Sequence, residues 1–336
     1  MIIYTRFMAA PRQALILRPP GCLLRCWRVS CKCAAVAVSV ASMLAPPRAT
    51  ATIGAMAAPS TLSVQLSVSI VLHDSCLSLL HRTLSSLSVA AGQAQESGLL
   101  RGLTVTLVDN ASGATYREQL AALVNEWPSD DLRLQCEWQS TNRGFGPGHN
   151  VVIRELDSDY HLVLNPDVEL QPDTLQAGLS VLQSHSDIIL VSPWAAGGSG
   201  EQEFLCKDYP SALVLLLRGF APLAVRRLFR RRLNAYELRD RCSGKARVEV
   251  LIASGCFMLA RTAELRAVGG FNEQFFLYFE DFDLSLRLKN KGRLVFDPSV
   301  RIVHHGGYAA SKGWRHLRYF VASGIRFFNH HGWRWI

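Results

Sequence analysis

Val64-Gln65-Leu66-Ser67-Val68-Ser69-Ile70-Val71-Leu72-His73 alternates apolar and polar residues and then becomes continuously apolar, the pattern of a strand that ends buried on both faces. Asp74-Ser75 follows as a helix cap for a stretch carrying Leu77, Leu80, Leu84 and Leu87, four apolar residues at helical spacing. A second strand, Leu103 to Asp109, runs into Asp109-Asn110-Ala111-Ser112-Gly113. A helical stretch from Tyr116 to Trp127 then leads to a strand at Leu132 to Cys136. Strand, helix, strand, helix, strand predicts an α/β fold with a mostly parallel central sheet, its polar groups gathered at the strand C-terminal ends. A nucleotide site is expected on that edge.

Three further stretches carry chemistry. Asn142-Arg143-Gly144-Phe145-Gly146-Pro147-Gly148-His149-Asn150 spaces three glycines alternately, which permits close backbone approach but matches neither a P-loop nor a dinucleotide fingerprint. Tyr160 to Glu169 runs a buried strand straight into the acidic turn Asn165-Pro166-Asp167. That turn is either a plain Asx-Pro turn or a carboxylate placed to hold a hard cation against phosphate. Phe275 to Arg287 sets Glu280, Asp281 and Asp283 behind a run of aromatic residues. Acids crowded this closely resist full ionisation, so one can keep a raised pKa and act as a general base. The plainer alternative is a helix N-terminus that favours acids, with Asp283 and Arg287 as an i,i+4 pair.

Composition limits the possibilities. Of the formal net charge of +9, seven positive charges fall within residues 1–73, which contain no acid, so the remainder is nearly balanced and a general nucleic-acid binder is not indicated. Cys22, Cys26, Cys31 and Cys33 lack the paired spacing of common zinc sites, and the other five cysteines are scattered as reduced thiols would be. Residues 1–62 mix Arg, Pro, Cys and Ala without periodicity. The run Ala34 to Ala45 is too short for a membrane span and reads either as the core of an export signal or as part of a misassigned start, with translation beginning at Met43 or Met56. The second reading is preferred.

Taken in order, Val108 to Ser112, Asn142 to Gly146, Leu164 to Asp167, Gly269-Gly270-Phe271-Asn272-Glu273, Glu280-Asp281-Phe282-Asp283 and His304-His305-Gly306-Gly307 resemble the inverting family 2 glycosyltransferases of GT-A fold. Within them the closest likeness is to the bacterial rhamnosyltransferase-like enzymes of surface-polysaccharide synthesis. The resemblance implies a transferase domain over 63–308 that carries a basic amphipathic insertion at 207–245 and is followed by a basic, aromatic helix at 309–336. It implies Asp109, Asn142, Gly144, Asn165 and Asp167 as donor-binding residues, Asp167 and His304 as ligands of a divalent cation (Mg²⁺ or Mn²⁺), and Asp281 as the catalytic base, tuned by Glu280 and Asp283. The implied donor is a dTDP- or UDP-sugar, most readily a rhamnose, and the implied acceptor a polyprenyl-diphosphate-linked glycan. The rival readings are the same fold with a different donor sugar, galactofuranose or N-acetylglucosamine, and a catalytically silent sugar-nucleotide-binding module.

Lys207 to Lys245 holds ten Lys/Arg against three acids, beside the apolar run Leu213 to Leu217. Such a stretch reads either as a solvated basic helix face or as a surface suited to an anionic membrane, and the second reading is preferred. The expected location is therefore peripheral, on the cytoplasmic face of the cell membrane, where nucleotide sugars are made.

Overall fold

Among the described residues a ten-stranded mixed sheet sets eight strands in the order β3-β2-β1-β4-β9-β6-β10-β5, with β7 paired to β6 and β8 to β10 off that path. Its strands are β1 (Val64–Leu72), β2 (Leu100–Asp109), β3 (Arg133–Trp138), β4 (Tyr160–Leu164), β5 (Val168–Leu170), β6 (Ile188–Gly197), β7 (Gln202–Glu203), β8 (Val248–Val250), β9 (Phe257–Arg261) and β10 (Arg293–His304). The helices are α1 (Leu77–Glu96), α2 (Ala114–Asn125), α3 (Phe145–Ile153), α4 (Thr174–Ser184), α5 (Ala212–Phe220), α6 (Leu223–Leu228), α7 (Arg230–Tyr236), α8 (Arg239–Cys242), α9 (Thr262–Ala267), α10 (Glu280–Lys289) and α11 (Trp314–His331). This computed structural model describes residues 63–127, 132–306 and 314–336, all within the unit Ala57–Ile336. The expected extension at 1–62 lies outside the described residues.

β1 to β4 are parallel, as the sequence order predicts. β9 enters antiparallel between β4 and β6, and β10 runs parallel to β6. The apolar runs that predict β1 and β4 are buried, with Val68, Ile70, Leu72, Leu162 and Leu164 essentially inaccessible. Leu80, Leu84 and Leu87 of α1 close over them. Asp74 does not cap α1. It adopts a left-handed φ of 48° and its carboxylate accepts the Gly113 N–H at 3.0 Å, joining the two loops that leave β1 and β2.

The 207–245 stretch folds as helices α5 to α8, with Val214, Leu217, Leu233 and Tyr236 forming a small core of their own. α11 docks on the aromatic loop before α10, burying Phe327 and Phe328 against Phe275 and Phe279. The tail beyond α11 returns to α5, where Ala212 N–H donates to the Arg334 carbonyl and Leu213 N–H to that of Trp335.

Candidate active site

The C-terminal ends of β1, β2, β4 and β10 and the N-terminus of α10 converge on one edge of the sheet. Asp281 lies in the first turn of α10, its Oδ2 accepting the Gly255 N–H at 3.0 Å and its Oδ1 that of Phe282 at 2.9 Å. Ser285 fixes this arrangement, taking the Ala253 N–H at 3.1 Å and donating to the Asp281 carbonyl at 2.7 Å. Burial pushes the Asp281 carboxyl above the usual aspartate range, opposed by its backbone donors and by Lys207. Glu280 beside it is only 5 % exposed, and burial, reinforced by the Asp281 charge, pushes its carboxyl well above the ordinary value. Two adjoining carboxyls with separated affinities can hold one proton between them. Asp281 then ionises first and Glu280 stays neutral.

The backbone entering α10 is strained. Tyr278 and Phe279 take successive left-handed φ values of 70° and 66°, a conformation costing bulky residues roughly 1–3 kcal/mol each. α11 holds it in place. Ser323 Oγ donates to the Leu277 carbonyl at 2.8 Å, the Tyr278 hydroxyl meets His316 Nδ1 at 3.0 Å, and the Phe279 ring packs on Phe320 and Phe327.

Asp283 does not join Asp281. Residues two apart on a helix point to opposite sides, and Asp283 is 2 % exposed, fixed by Arg287 Nε at 2.8 Å and His331 Nε2 at 2.8 Å. Its carboxylate ties α11 to α10, an anchoring contact beside the tuning role that the resemblance implies.

A cavity of about 780 Å³ is lined by His73, Asn110, Asn142, Gly144, Phe276 and His316 among others. Asn110 organises its rim, donating to Asn142 Oδ1 at 3.0 Å and to the Gly144 carbonyl at 2.9 Å, and accepting the Arg143 N–H at 3.1 Å. Gly144 has φ +98°, and a Cβ there would stand 2.1 Å from the Phe276 carbonyl oxygen, so the glycine serves backbone packing as well as the cavity. Asp109 does not reach the cavity. Its carboxylate is fully buried, paired with Arg117 Nε at 2.6 Å and close to the Ser112 N–H. Asp109 is the donor contact that the resemblance implies; in this structure its carboxylate braces the turn, and the neighbouring Asn110 lines the space.

Asn165 is half-buried, its N–H bonded to the Cys256 carbonyl at 2.9 Å. Asp167 follows, its carbonyl accepting the His305 N–H at 2.8 Å. Asp167 Oδ1 is buried with no hydrogen-bond partner among the described residues and stands 3.7 Å from His304 Nε2. His304 Nδ1 meets Glu203 at 2.8 Å, a carboxylate support that commonly orients a ligating imidazole. An unsatisfied carboxylate oxygen facing an oriented imidazole fits a divalent cation as two of its ligands, although among the described residues no group of three or more His, Cys, Asp or Glu is placed to hold one.

Cys256, next to this site, is buried, which pushes its thiol up to about 12 and excludes it as a nucleophile near neutral pH. Sequence reasoning missed α11 as a wall of the large cavity, through Arg315, His316 and Tyr319. Phe320, Gly324, Phe327 and Phe328, spaced for one helix face, were the available signal. It also missed the buried chain Ser158–Ser67–His161–Ser69–His149, linked at 2.7–2.8 Å. Burial lowers the His161 pKa to about 3 and holds His149 well down, so both imidazoles are neutral structural links.

The sequence profile described as Glycosyl transferase family 2 matches residues 67–261. The chain belongs to glycosyl transferase family 2. It is 29 % identical over 247 residues, covering 69 % of this chain and 74 % of the relative, to the N-acetylglucosaminyl-diphospho-decaprenol L-rhamnosyltransferase of Mycobacterium tuberculosis. It is 25 % identical over 174 residues, 48 % of this chain and 61 % of the relative, to Rhamnosyltransferase WbbL of Escherichia coli K12. In fold it resembles GalNAc-T7, crystallised with UDP, GalNAc and Mn²⁺, with a TM-score of 0.55 at 14 % identity; the match covers 80 % of this chain and 48 % of the other, so the transferase spans about half of GalNAc-T7. Mannosyltransferase PcManGT from Pyrobaculum calidifontis, solved with GDP-Man and Mn²⁺, gives a TM-score of 0.51 at 16 % identity, covering 79 % and 65 %. The fold is the expected GT-A fold, and the transferase is close to rhamnosyltransferases. The profile ends before α10, so the parts given to Glu280, Asp281 and His304 rest on geometry.

Proposed function

We propose that the transferase moves a deoxyhexose, rhamnose, from a dTDP- or UDP-sugar onto a lipid-linked glycan with inversion at the anomeric carbon. Asp281 carries this reading. Its carboxylate is fixed by two backbone N–H groups, has its proton affinity raised by burial, and stands at the convergence of the strand ends. Asp281 takes the proton of the acceptor hydroxyl as that oxygen bonds to the anomeric carbon, and the bond from that carbon to the nucleoside diphosphate breaks. The donor occupies the large cavity, its base and ribose against Asn110, Asn142 and Gly144, and the turn Asn165 to Asp167 meets the diphosphate. A divalent cation held by Asp167 and His304 would offset charge on the departing diphosphate. Imidazole ligation favours Mn²⁺ over Mg²⁺.

Two relatives named as rhamnosyltransferases support the donor sugar, and a diphospho-decaprenol in one of those names supports the acceptor class. Peripheral attachment to an anionic membrane is supported by α5 and α6, which expose Leu216, Phe220, Leu223 and Leu228 next to Arg226 and Arg227. Among the described residues no helix is long and apolar enough to cross a membrane.

Turnover of dTDP-rhamnose and UDP-sugars by protein starting at Met56, with Mn²⁺ or Mg²⁺ and a lipid-linked acceptor, tests the proposal. Asp281→Asn is expected to lower kcat by roughly 10²- to 10⁴-fold, the contribution of a positioned base. Undiminished turnover in that variant would refute the mechanism. Donor binding without transfer to any acceptor by the wild type would favour the silent binding module.

A further inference from the structure

A second cavity, of about 370 Å³, shares no lining residue with the larger one. Its wall includes Ser254, whose neighbour Gly255 holds Asp281, so the space opens beside the base. Its charge is unusual. Lys207, Arg218 and Arg239 face two carboxylates, Glu203 and Glu237, and Glu203 is already engaged by His304.

The two guanidinium groups are held in position. Both pair with Glu237, Arg218 at 3.3 Å and Arg239 at 2.7 Å, and each lies over a ring, Arg218 on Tyr236 at 5.4 Å and Arg239 on Phe204 at 4.8 Å. One carboxylate is shared by two arginines, and both arginines line the cavity. Lys207 is largely buried, its ammonium donating to the Phe204 carbonyl, and burial lowers its pKa to about 8, so it is mostly charged at neutral pH. Planar, pre-oriented guanidinium donors beside an ammonium suit the oxygens of a phosphate or diphosphate.

The same helix links this cavity to the apolar surface. Arg218 belongs to α5, and Leu216 and Phe220, two residues to either side and so on the opposite face, are 58 % and 59 % exposed. Leu223 and Leu228 of α6 extend that surface, and the Leu213 N–H to Trp335 carbonyl bond brings the exposed Trp335 and Ile336 to its margin.

We infer that the Lys207–Arg218–Arg239 cavity receives the diphosphate of the lipid-linked acceptor, presenting the sugar it carries to Asp281 while the polyprenyl chain lies along the exposed face of α5 and α6. The inference rests on the reading of the acceptor given above, and adds to it the side chains that recognise it. A donor diphosphate offers the same chemistry, so the test separates the two sources.

Full-length wild type, Arg239→Gln, Arg218→Gln and Arg239→Lys are assayed with dTDP-rhamnose and two acceptors. One is N-acetylglucosamine on an undecyl diphosphate; the other is undecyl N-acetylglucosaminide, which has no phosphate. The kcat/KM ratio of the first acceptor to the second is expected to fall roughly 10- to 100-fold in each Gln variant, the value of one charge-assisted hydrogen bond. Arg239→Lys should recover part of it. Equal losses on both acceptors would mark the arginines as structural and overturn the inference, and so would a Gln variant whose main defect is a raised KM for the donor. Wild-type transfer to some other acceptor but to neither of these two would instead remove the lipid-linked reading itself.

Discussion

Replacing Glu280 by glutamine tests the charge arrangement at the base directly. Glu280 is 5 % exposed and its Oε2 has no hydrogen-bond partner among the described residues. A helix N-terminus favours a carboxylate by at most about 2 kcal/mol, whereas burying an unpaired one costs several, so burial wins and the folded carboxyl binds its proton well above the ordinary value of 4.5. The sign follows from linkage: with the folded pKa raised, the stability associated with this proton is fully present below about pH 4.5 and is lost as pH rises toward the folded value. One proton gives a limiting slope of about 1.36 kcal/mol per pH unit, hence up to about 2.7 kcal/mol between pH 5 and 7. Glutamine has the shape of the protonated acid and does not titrate. Glu280→Gln should therefore gain stability over wild type as pH rises, by up to about 2.7 kcal/mol more at pH 7 than at pH 5. Urea unfolding at pH 5, 6, 7 and 8, with unchanged denaturant slopes, measures this difference. A difference that stays flat with pH would refute the neutral Glu280. A loss of kcat matching that of Asp281→Asn would move the base to Glu280.

The remaining expectations address the base, the donor loop and the cation site. Because burial raises the Asp281 carboxyl, kcat/KM should rise with pH along an acid limb lying above the ordinary aspartate value of 3.8, and a limb at or below that value would contradict the buried base. Gly144→Ala puts a Cβ 2.1 Å from the Phe276 carbonyl at φ +98°. It should cost at least about 1–3 kcal/mol in urea unfolding and raise the donor KM, and an unchanged midpoint would disprove the close approach. Glu203→Gln removes the support of His304 and should raise the Mn²⁺ concentration for half-maximal activity roughly 10- to 100-fold; no change would separate His304 from the cation.

What could be read from the sequence was local. The alternation in Val64 to His73 and the run Tyr160 to Leu164 identify strands because burial on a sheet leaves a period of two, or an uninterrupted apolar run, on the chain itself. Asp281 stands out for a similar reason, since acids crowded behind aromatic residues are unfavourable without a use, and its role as base is the proposal that Asp281→Asn tests. Asp283 belongs to the same crowd; its pair with Arg287 is readable from the i,i+4 spacing, but nothing local shows its second partner, His331, 48 residues on. Asp109 was read correctly as the end of a strand, but its charge is taken up by Arg117 one helix further along, leaving Asn110 to face the cavity. An aromatic helix such as α11 reads equally as a membrane-seeking tail or as a lid on buried rings, and the strained pair Tyr278 and Phe279 that requires such a lid cannot be seen in composition.

The surroundings of the three carboxylates follow one physical rule. A carboxylate's role is set by which groups reach it: Arg117, eight residues on in α2, for Asp109; Arg287, one turn on, and His331 of α11 for Asp283; and Lys207, in the stretch before α5, for Asp281, where it lowers a pKa that burial raises. Asp109 and Asp283 are each closed off by a guanidinium at under 3 Å and contribute rigidity. Asp281 has backbone N–H donors and a more distant ammonium, which hold its geometry without removing its basicity. A carboxylate free of a direct cationic partner, yet fixed on both oxygens, is what general-base chemistry requires, and that difference in partners separates Asp281 from the other two.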